Sequence, residues 1–367
     1  MFPKTFVVSL LLLGFTCFTP VHSQKKGPKS PIKKKGVTTG LKDYLFTSDD
    51  VLHFKLTGKL NNLYNDRYKN ISYHPMLLQY KSNDTTSAIR LSVKTRGNFR
   101  RRKENCKMPP LMLNFLKNET TKGSPFENQR KLKLIVPCQG DEYVVREYLI
   151  YKLYNLLSDR SFKARLAQVE FEDSAGKKNP ETHYCFLLED ENRMAERNKA
   201  FIWNRKMFPM KATDRKEFTK MAVFQYMIGN TDWSVPYMQN IRLVTNDTLR
   251  APYPVPYDFD HAGIVDAPYA GPAPELEISS IRERIYRGFC EKDKKAFKET
   301  FDLFNKLKDD FYKIYTGCPL LSAKYIKSTT KFLNDFFKVI NNDKDIETEF
   351  GNPCRTEVRI ELKGLED

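Results

Sequence analysis

No Cys-x-x-Cys pair occurs in the 367 residues, so a structural zinc site, whose ligands usually come in such close pairs, does not organise this chain. No His-Glu-x-x-His, no other spaced histidine pair and no Gly-x-Ser-x-Gly elbow occurs either, which removes the sequence anchors of zinc hydrolysis and Ser-His-Asp catalysis. His261, beside Asp260, then reads as a hydrogen-bonded structural residue. Beyond residue 18 no apolar run is long enough to cross a bilayer as a helix. Negative charge is also short: 45 Asp and Glu stand against 62 Lys and Arg, a formal net charge of +17, so acids gathered among apolar residues need a reason.

The N-terminus supplies an export signal. Met1 to Thr5 carries one lysine, an uncharged run follows from Phe6 to Phe18, and Val21-His22-Ser23 precedes the expected cleavage, which makes residues 1–23 a signal peptide. A lipoprotein attached at Cys17 is the rival, but Gly14-Phe15-Thr16 does not resemble a lipobox. The mature chain is expected to be secreted or periplasmic, without a transmembrane helix. Six cysteines then remain, at 106, 138, 185, 290, 318 and 354, and an even number in an exported chain suggests disulfides. Six allow fifteen pairings; Cys106 with Cys138 and Cys290 with Cys318 are the ones favoured. Residues 24–36 hold six lysines, two prolines and no aromatic residue, and read as part of a solvated basic linker over 24–40. Such an arm suits an anionic surface; in an exported protein nucleic acid is not the expected partner.

The remaining chain changes character near residue 190. Segments 51–58, 74–82 and 88–95 alternate apolar and polar residues between Asn/Asp/Gly-rich turns, as do 109–115 and 131–138, and 164–172 with 182–188 reads as a hairpin. Leu132, Leu134 and Val136 share one face of their strand; Lys131, Lys133 and Ile135 share the other, so a partly buried lysine is expected there. A helix over 141–157 carries its apolar stripe at 145, 149, 153 and 156, with Arg146 and Glu147 beside it. After residue 190 helical spacing dominates, with stripes at Phe297, Phe301, Phe304, Leu307 and Phe311 and at Tyr325, Phe332, Phe336 and Ile340. The pattern implies an α+β protein with a β-rich region over 41–190 and an α-rich region over 191–367.

At the junction lies the chemistry. Between Met227 and Asp260 the chain sets Asp232, Asn240, Asp258 and Asp260 among aromatic and apolar residues. Asp232 falls in a loop after a helix, Asn240 starts a strand, and Asp258 and Asp260 end the next, so a hairpin can bring their oxygens together. Oxygen ligands of this kind suit Mg²⁺ or Mn²⁺, and an acid left off the metal can act as general base. Asp232 and Asp258 as a glycosidase pair is a weaker reading, since no fold-level feature supports it. Thr95 to Arg102 is an arginine-dense turn around Gly97, suited to phosphate or carboxylate oxygens.

In this order, Arg96-Gly97-Asn98, the Arg146-Glu147 helix, the strand-end Glu189, Gly229-Asn230-Thr231-Asp232 with Asn240, and Tyr257-Asp258-Phe259-Asp260 followed by Gly263 resemble the spore-coat protein H (CotH) kinase-like family. The resemblance implies a two-lobed protein-kinase-like fold with a β-rich N-terminal lobe, and ATP-dependent phosphorylation of Ser or Thr side chains on a protein substrate. It makes Asp232 the catalytic base and gives the metal to Asn240 and Asp258, with Asp260 beside them. Lys133, or Lys107 or Lys131 in its place, would contact the α/β phosphates and pair with Glu147. Arg96 and Arg146 would add phosphate charge, and Glu189 would lie near the adenine. The step from Asp232 to Asn240 is eight residues where the kinase pattern has five, and no GxGxxG, HRD or DFG triplet occurs. A catalytically inactive member acting as a surface-binding or assembly protein is the alternative.

Overall fold

Alternating strands over 51–135 and 164–188 need a partner for every edge, and the chain meets that need by closing the sheet on itself. A computed structural model describes residues 43–354, apart from 69, 83–84, 118–120, 273–275, 277, 292 and 352; the signal peptide and basic linker lie outside the described residues. Strands β1 (Leu52–Gly58), β2 (His74–Ser82), β3 (Thr85–Thr95), β4 (Leu111–Phe115), β5 (Lys131–Ile135), β6 (Ala164–Asp173) and β7 (Glu181–Leu188) form a barrel in the order β1-β2-β3-β4-β5-β7-β6. All neighbours are antiparallel except β1 and β6, whose parallel pairing from Leu52↔Ala167 to Gly58↔Asp173 closes it.

The inward residues of each strand are the apolar half of its alternation: Leu56, Leu78, Val93, Leu113, Leu134, Val169 and Leu187 are all buried. Phe126, from the β4–β5 connection, fills the interior and packs against Phe54, Tyr80 and Phe115 with ring centroids 5.8, 5.9 and 5.5 Å away. The barrel is therefore a packed core.

The outer face of β5, β6 and β7 is apolar too. Ile135, Ala164, Leu166, Phe186 and Leu188 join one continuous core with helix α2 (Asp141–Leu157) and with the second half of the chain. This corrects the expected two-lobed kinase-like fold: the sheet is a closed barrel rather than an open lobe, and the helices pack directly on its outer wall. The physical reason is that closure leaves no free sheet edge, while the apolar outer wall must still be covered. The α+β composition stands, with eight helices among the described residues. Sandwiched helix α2 is buried around most of its circumference, so Glu147, expected beside a stripe, is 1% exposed.

Beyond α1 (Leu60–Asn65), the remaining helices are α3 (Glu191–Arg197), α4 (Arg215–Ile228), α5 (Lys298–Lys306), α6 (Lys308–Thr316), α7 (Ala323–Ile340) and α8 (Asp343–Phe350). Their starts follow their caps: the Asp214 side chain accepts from Glu217 N–H, Ser322 from Tyr325, and Asn342 from Lys344 and Asp345. The Phe297–Phe311 stripe is broken at Leu307 into α5 and α6. A small sheet of β8 (Phe201–Ile202), β9 (Ile241–Thr245) and β10 (Tyr253–Pro256) runs in the order β10-β9-β8. Two disulfides form: Cys106–Cys138, as expected, and Cys290–Cys354, which replaces the expected Cys290–Cys318 pair. Phe350 of α8 packs with a tilted ring against Tyr286 and Phe297 and so carries Cys354 toward Cys290; Cys318 is left as a thiol, as is Cys185. No helix among the described residues is long and apolar enough to cross a membrane.

Candidate functional site

Two backbone contacts bring the acidic segments together. Helix α4 ends at Gly229, whose φ of 65° reverses the chain without a Cβ penalty. There Gly263 N–H donates to Gly229 O (2.9 Å) and Ile264 N–H to Ile228 O (3.0 Å), so the loop holding Asp232 runs beside the segment holding Asp258 and Asp260. A Cβ on Gly263 would come 2.3 Å from Ile281 O, which is why glycine stands there. On the other side, the β9–β10 register pairs Pro256 with Ile241, and Tyr257 N–H donates to Asn240 O (3.0 Å).

Asp232 is held from both ends. Its N–H donates to Oδ1 of buried Asn230 (3.0 Å), and Arg287 donates to the carbonyls of Thr231 and Trp233. The eight-residue step to Asn240 is taken up by a turn closed by a Ser234↔Gln239 bridge, so the surplus residues loop outward. Asn240 Nδ2 then donates to Asp232 Oδ2 (2.9 Å) and to its carbonyl (2.8 Å), and the Gln239 amide donates to Oδ1. Asn240 and Asp258 both sit in the left-handed region, at φ 51° and 63°. Two non-glycine residues held so beside the same acids are strain of the kind that collects at working sites.

Behind Asp258 lies a buried charge cluster. Arg100 Nη1 stands 3.2 Å from Glu147 Oε2 and 3.6 Å from Asp260 Oδ2, and its Nη2 donates to Val136 O (2.6 Å). One guanidinium faces two buried carboxylates. Burial pushes both upward against the pull of Arg100, helped at Glu147 by the charges of Asp260 and Asp258 and at Asp260 by those of Asp258 and Asp232. Burial alone would lower Arg100, but Tyr269, Asp260, Glu147 and Asp258 hold it protonated above its ordinary value. Asp258 N–H donates to the Tyr151 hydroxyl (2.9 Å), fixing the segment to α2.

In front lies Lys133. Its ammonium is 4.9 Å from the centre of the Tyr257 ring and has no carboxylate within 4 Å among the described residues. Burial, with Arg96 and Arg242 nearby, depresses it to about 8, while Asp258 and Glu191 oppose the shift. Arg242 stacks on Tyr257 at 4.6 Å and bonds Glu191 Oε2 at 2.5 Å.

The structure thus gathers Asp232, Asn240, Asp258, Asp260, Glu147, Lys133 and Arg96. Other expected residues stand apart. Lys107 is on the surface with Glu181 (3.2 Å), and Lys131 is exposed. Arg146 stacks on Tyr325 at 3.9 Å and donates to Val265 O, tying α2 to the helical half. Glu189 is buried and engaged by Arg197 at 3.0 Å and by Lys163 N–H at 2.9 Å. The partner of Glu147 is Arg100, not Lys133. Arg100, Glu191 and Arg242 are contributors given no role from the sequence, and Tyr257 entered only as part of its motif; the arginine-dense turn around Gly97 is the signal for the first.

Among the described residues no three His, Cys, Asp or Glu side chains stand close enough to hold a metal alone. The candidate ligands near Asp258 are all oxygen donors: Asp232 and Asn240, which bond each other, and Asp260, which Arg100 already engages, so at most a part of them can share one ion. That chemistry fits Mg²⁺ or Mn²⁺ completed by water and phosphate oxygens, and does not fit zinc. No protein-family model matches the chain, and no curated protein matches it.

Proposed function

We propose that the chain is an exported, ATP- and divalent-metal-dependent phosphotransferase acting on Ser or Thr hydroxyls of a protein substrate, with the chemistry of the CotH kinase-like family. The reading rests on the site residues, since the barrel removes the argument from a kinase fold. One observation carries it: Lys133 is a partly buried cation over the Tyr257 ring with no carboxylate within 4 Å among the described residues, near Asp258, which like Asn240 holds a left-handed backbone. A buried charge without a partner is costly unless a ligand completes it, and phosphate oxygens would do so.

Bound with its metal, ATP would supply the electrophilic phosphorus and most of the charge neutralisation. Lys133 and Arg96 offer positive charge to phosphate oxygens. Asp258 and Asn240 offer the metal-facing oxygens, and Asp232 takes the proton of the acceptor hydroxyl, its orientation set by Asn240 and Asn230. Glu147 and Asp260 hold Arg100 and so fix the Asp258 segment from behind. Export by residues 1–23, and retention on an anionic surface by the lysines of 24–36, complete the reading. Two disulfides are compatible with that compartment.

A catalytically inactive binding or assembly protein has one observation in its favour: amides engage both oxygens of the Asp232 carboxylate. Thermal unfolding with ATP and Mg²⁺ or Mn²⁺, together with transfer of labelled γ-phosphate, decides. The phosphotransferase reading expects a metal-dependent rise in Tm that Asp258→Ala abolishes, and transfer that Asp232→Ala lowers about 10²- to 10⁴-fold with nucleotide binding kept. Binding without transfer by the wild type would leave the inactive protein. Absence of any nucleotide effect would sink the phosphotransferase.

A further inference from the structure

The turn that absorbs the eight-residue step is bonded to the proposed base and is capped by exposed apolar side chains. Tyr237 sits at its tip, 44% exposed, with its N–H toward Ser234 Oγ at 3.4 Å. Met207, 55% exposed, lies on the segment after β8, and its N–H donates to Pro236 O, one residue before Tyr237, at 2.7 Å. Both halves of this pairing are strained: Met207 and Met238 hold φ at 56° and 54°. At the foot of the same turn Gln239 donates to Asp232 and Ser234 pairs with Gln239. Beside Met207, Arg205 and Lys206 are exposed.

Single exposed apolar residues are ordinary on a protein surface. Here Met207 is bonded to Pro236, the neighbour of Tyr237, in a turn whose foot, Gln239, donates to the acid that would take the acceptor's proton, and Met207 and Met238 keep a left-handed backbone that solvent contact alone does not require. We propose that Tyr237 and Met207 form an acceptor-binding lip that selects Ser or Thr segments carrying an aromatic or aliphatic side chain close to the reacting hydroxyl. The inference rests on the phosphotransferase reading and names the substrate class of that site. Arg205 and Lys206 add a cationic flank, which disfavours Lys or Arg beside that apolar residue.

The test is phosphorylation of an oriented peptide library with one fixed Ser and degenerate flanks, using labelled ATP. The expected result is enrichment of Phe, Tyr, Leu or Met at one position near the Ser, with Lys and Arg depleted beside it. For the best peptide, Tyr237→Ser and Met207→Ser should each raise KM about fivefold or more, leaving kcat and the KM for ATP unchanged. Both residues are exposed in loops, so the variants keep the fold. A library without apolar preference, or variants with an unchanged KM, would overturn the lip. If the wild type transfers phosphate to nothing, the phosphotransferase reading falls instead. The lip is then judged by fluorescence anisotropy with a fluorescein-labelled Ser peptide rich in Leu and Phe. Binding that Tyr237→Ser abolishes would uphold the surface, while equal or absent binding would overturn it.

Discussion

Strand β5 has two faces that belong to different kinds of interior. Leu132 and Leu134 point into the barrel, where apolar side chains are fully shut from water and stacked around Phe126. Lys133, between them, points to the junction with the helices, where the ionisable side chains of Arg100, Glu147 and Asp260 are buried. The barrel interior is a packing solution, and most substitutions there lower stability through lost volume. The junction is a polar solution with loose ends: among the described residues Arg100 Nε and Glu147 Oε1 have no hydrogen-bond partner, and Lys133 has no ion pair. The contrast teaches that the barrel interior is held by apolar packing, while the candidate site buries polar groups that its own neighbours only partly engage.

Breaking the junction should cost most. Arg100→Met leaves two buried carboxylates facing each other and should lower unfolding free energy by about 3–5 kcal/mol in urea denaturation. Adding Glu147→Gln to that variant should recover much of the loss, because only one buried acid then remains. If the single and double variants are equally unstable, the charge cluster is not what Arg100 serves.

Inside the barrel, Leu78→Ala should cost about 2–4 kcal/mol through the cavity it leaves. Its Tm shift with ATP and metal should match that of the wild type, since Leu78 touches only the barrel core. A lost nucleotide response in that variant would mean that the two regions are coupled.

The smallest effect has the opposite sign. Lys133 falls from 10.5 to about 8 on folding, so between those values the unfolded chain binds more protons and stability rises with pH. Below pH 8 the buried ammonium is a cost. Lys133→Met should therefore be about 1–2 kcal/mol more stable than the wild type at pH 7, with the advantage fading by pH 10 as the lysine loses its proton. Denaturation across that range would show it. A destabilised Lys133→Met would place Lys133 among the structural residues.

Much of the local structure was legible because its signals are local. The alternation of β5, the β6–β7 hairpin and the apolar stripe of α7 follow from periods of two and 3.6. Closure of the barrel was not legible. It depends on β1 meeting β6 in parallel, with Leu52 opposite Ala167, and no residue near either strand announces a partner more than a hundred positions away. The same limit hid Cys354 as the partner of Cys290 and Arg100 as the partner of Glu147, because Cys318 and Lys133 offer the same chemistry in the sequence.

The sequence alone determined which residues are candidates for chemistry: acids and an amide set among apolar neighbours, a lysine on the apolar outer face of a strand, and arginines around one glycine. Tertiary structure decided which of them meet. The contact of Gly229 with Gly263, the outward turn between Asp232 and Asn240, and the packing of α2 on the barrel wall fix that choice. Charges of like type are interchangeable along a chain, and distance alone tells them apart once it is folded.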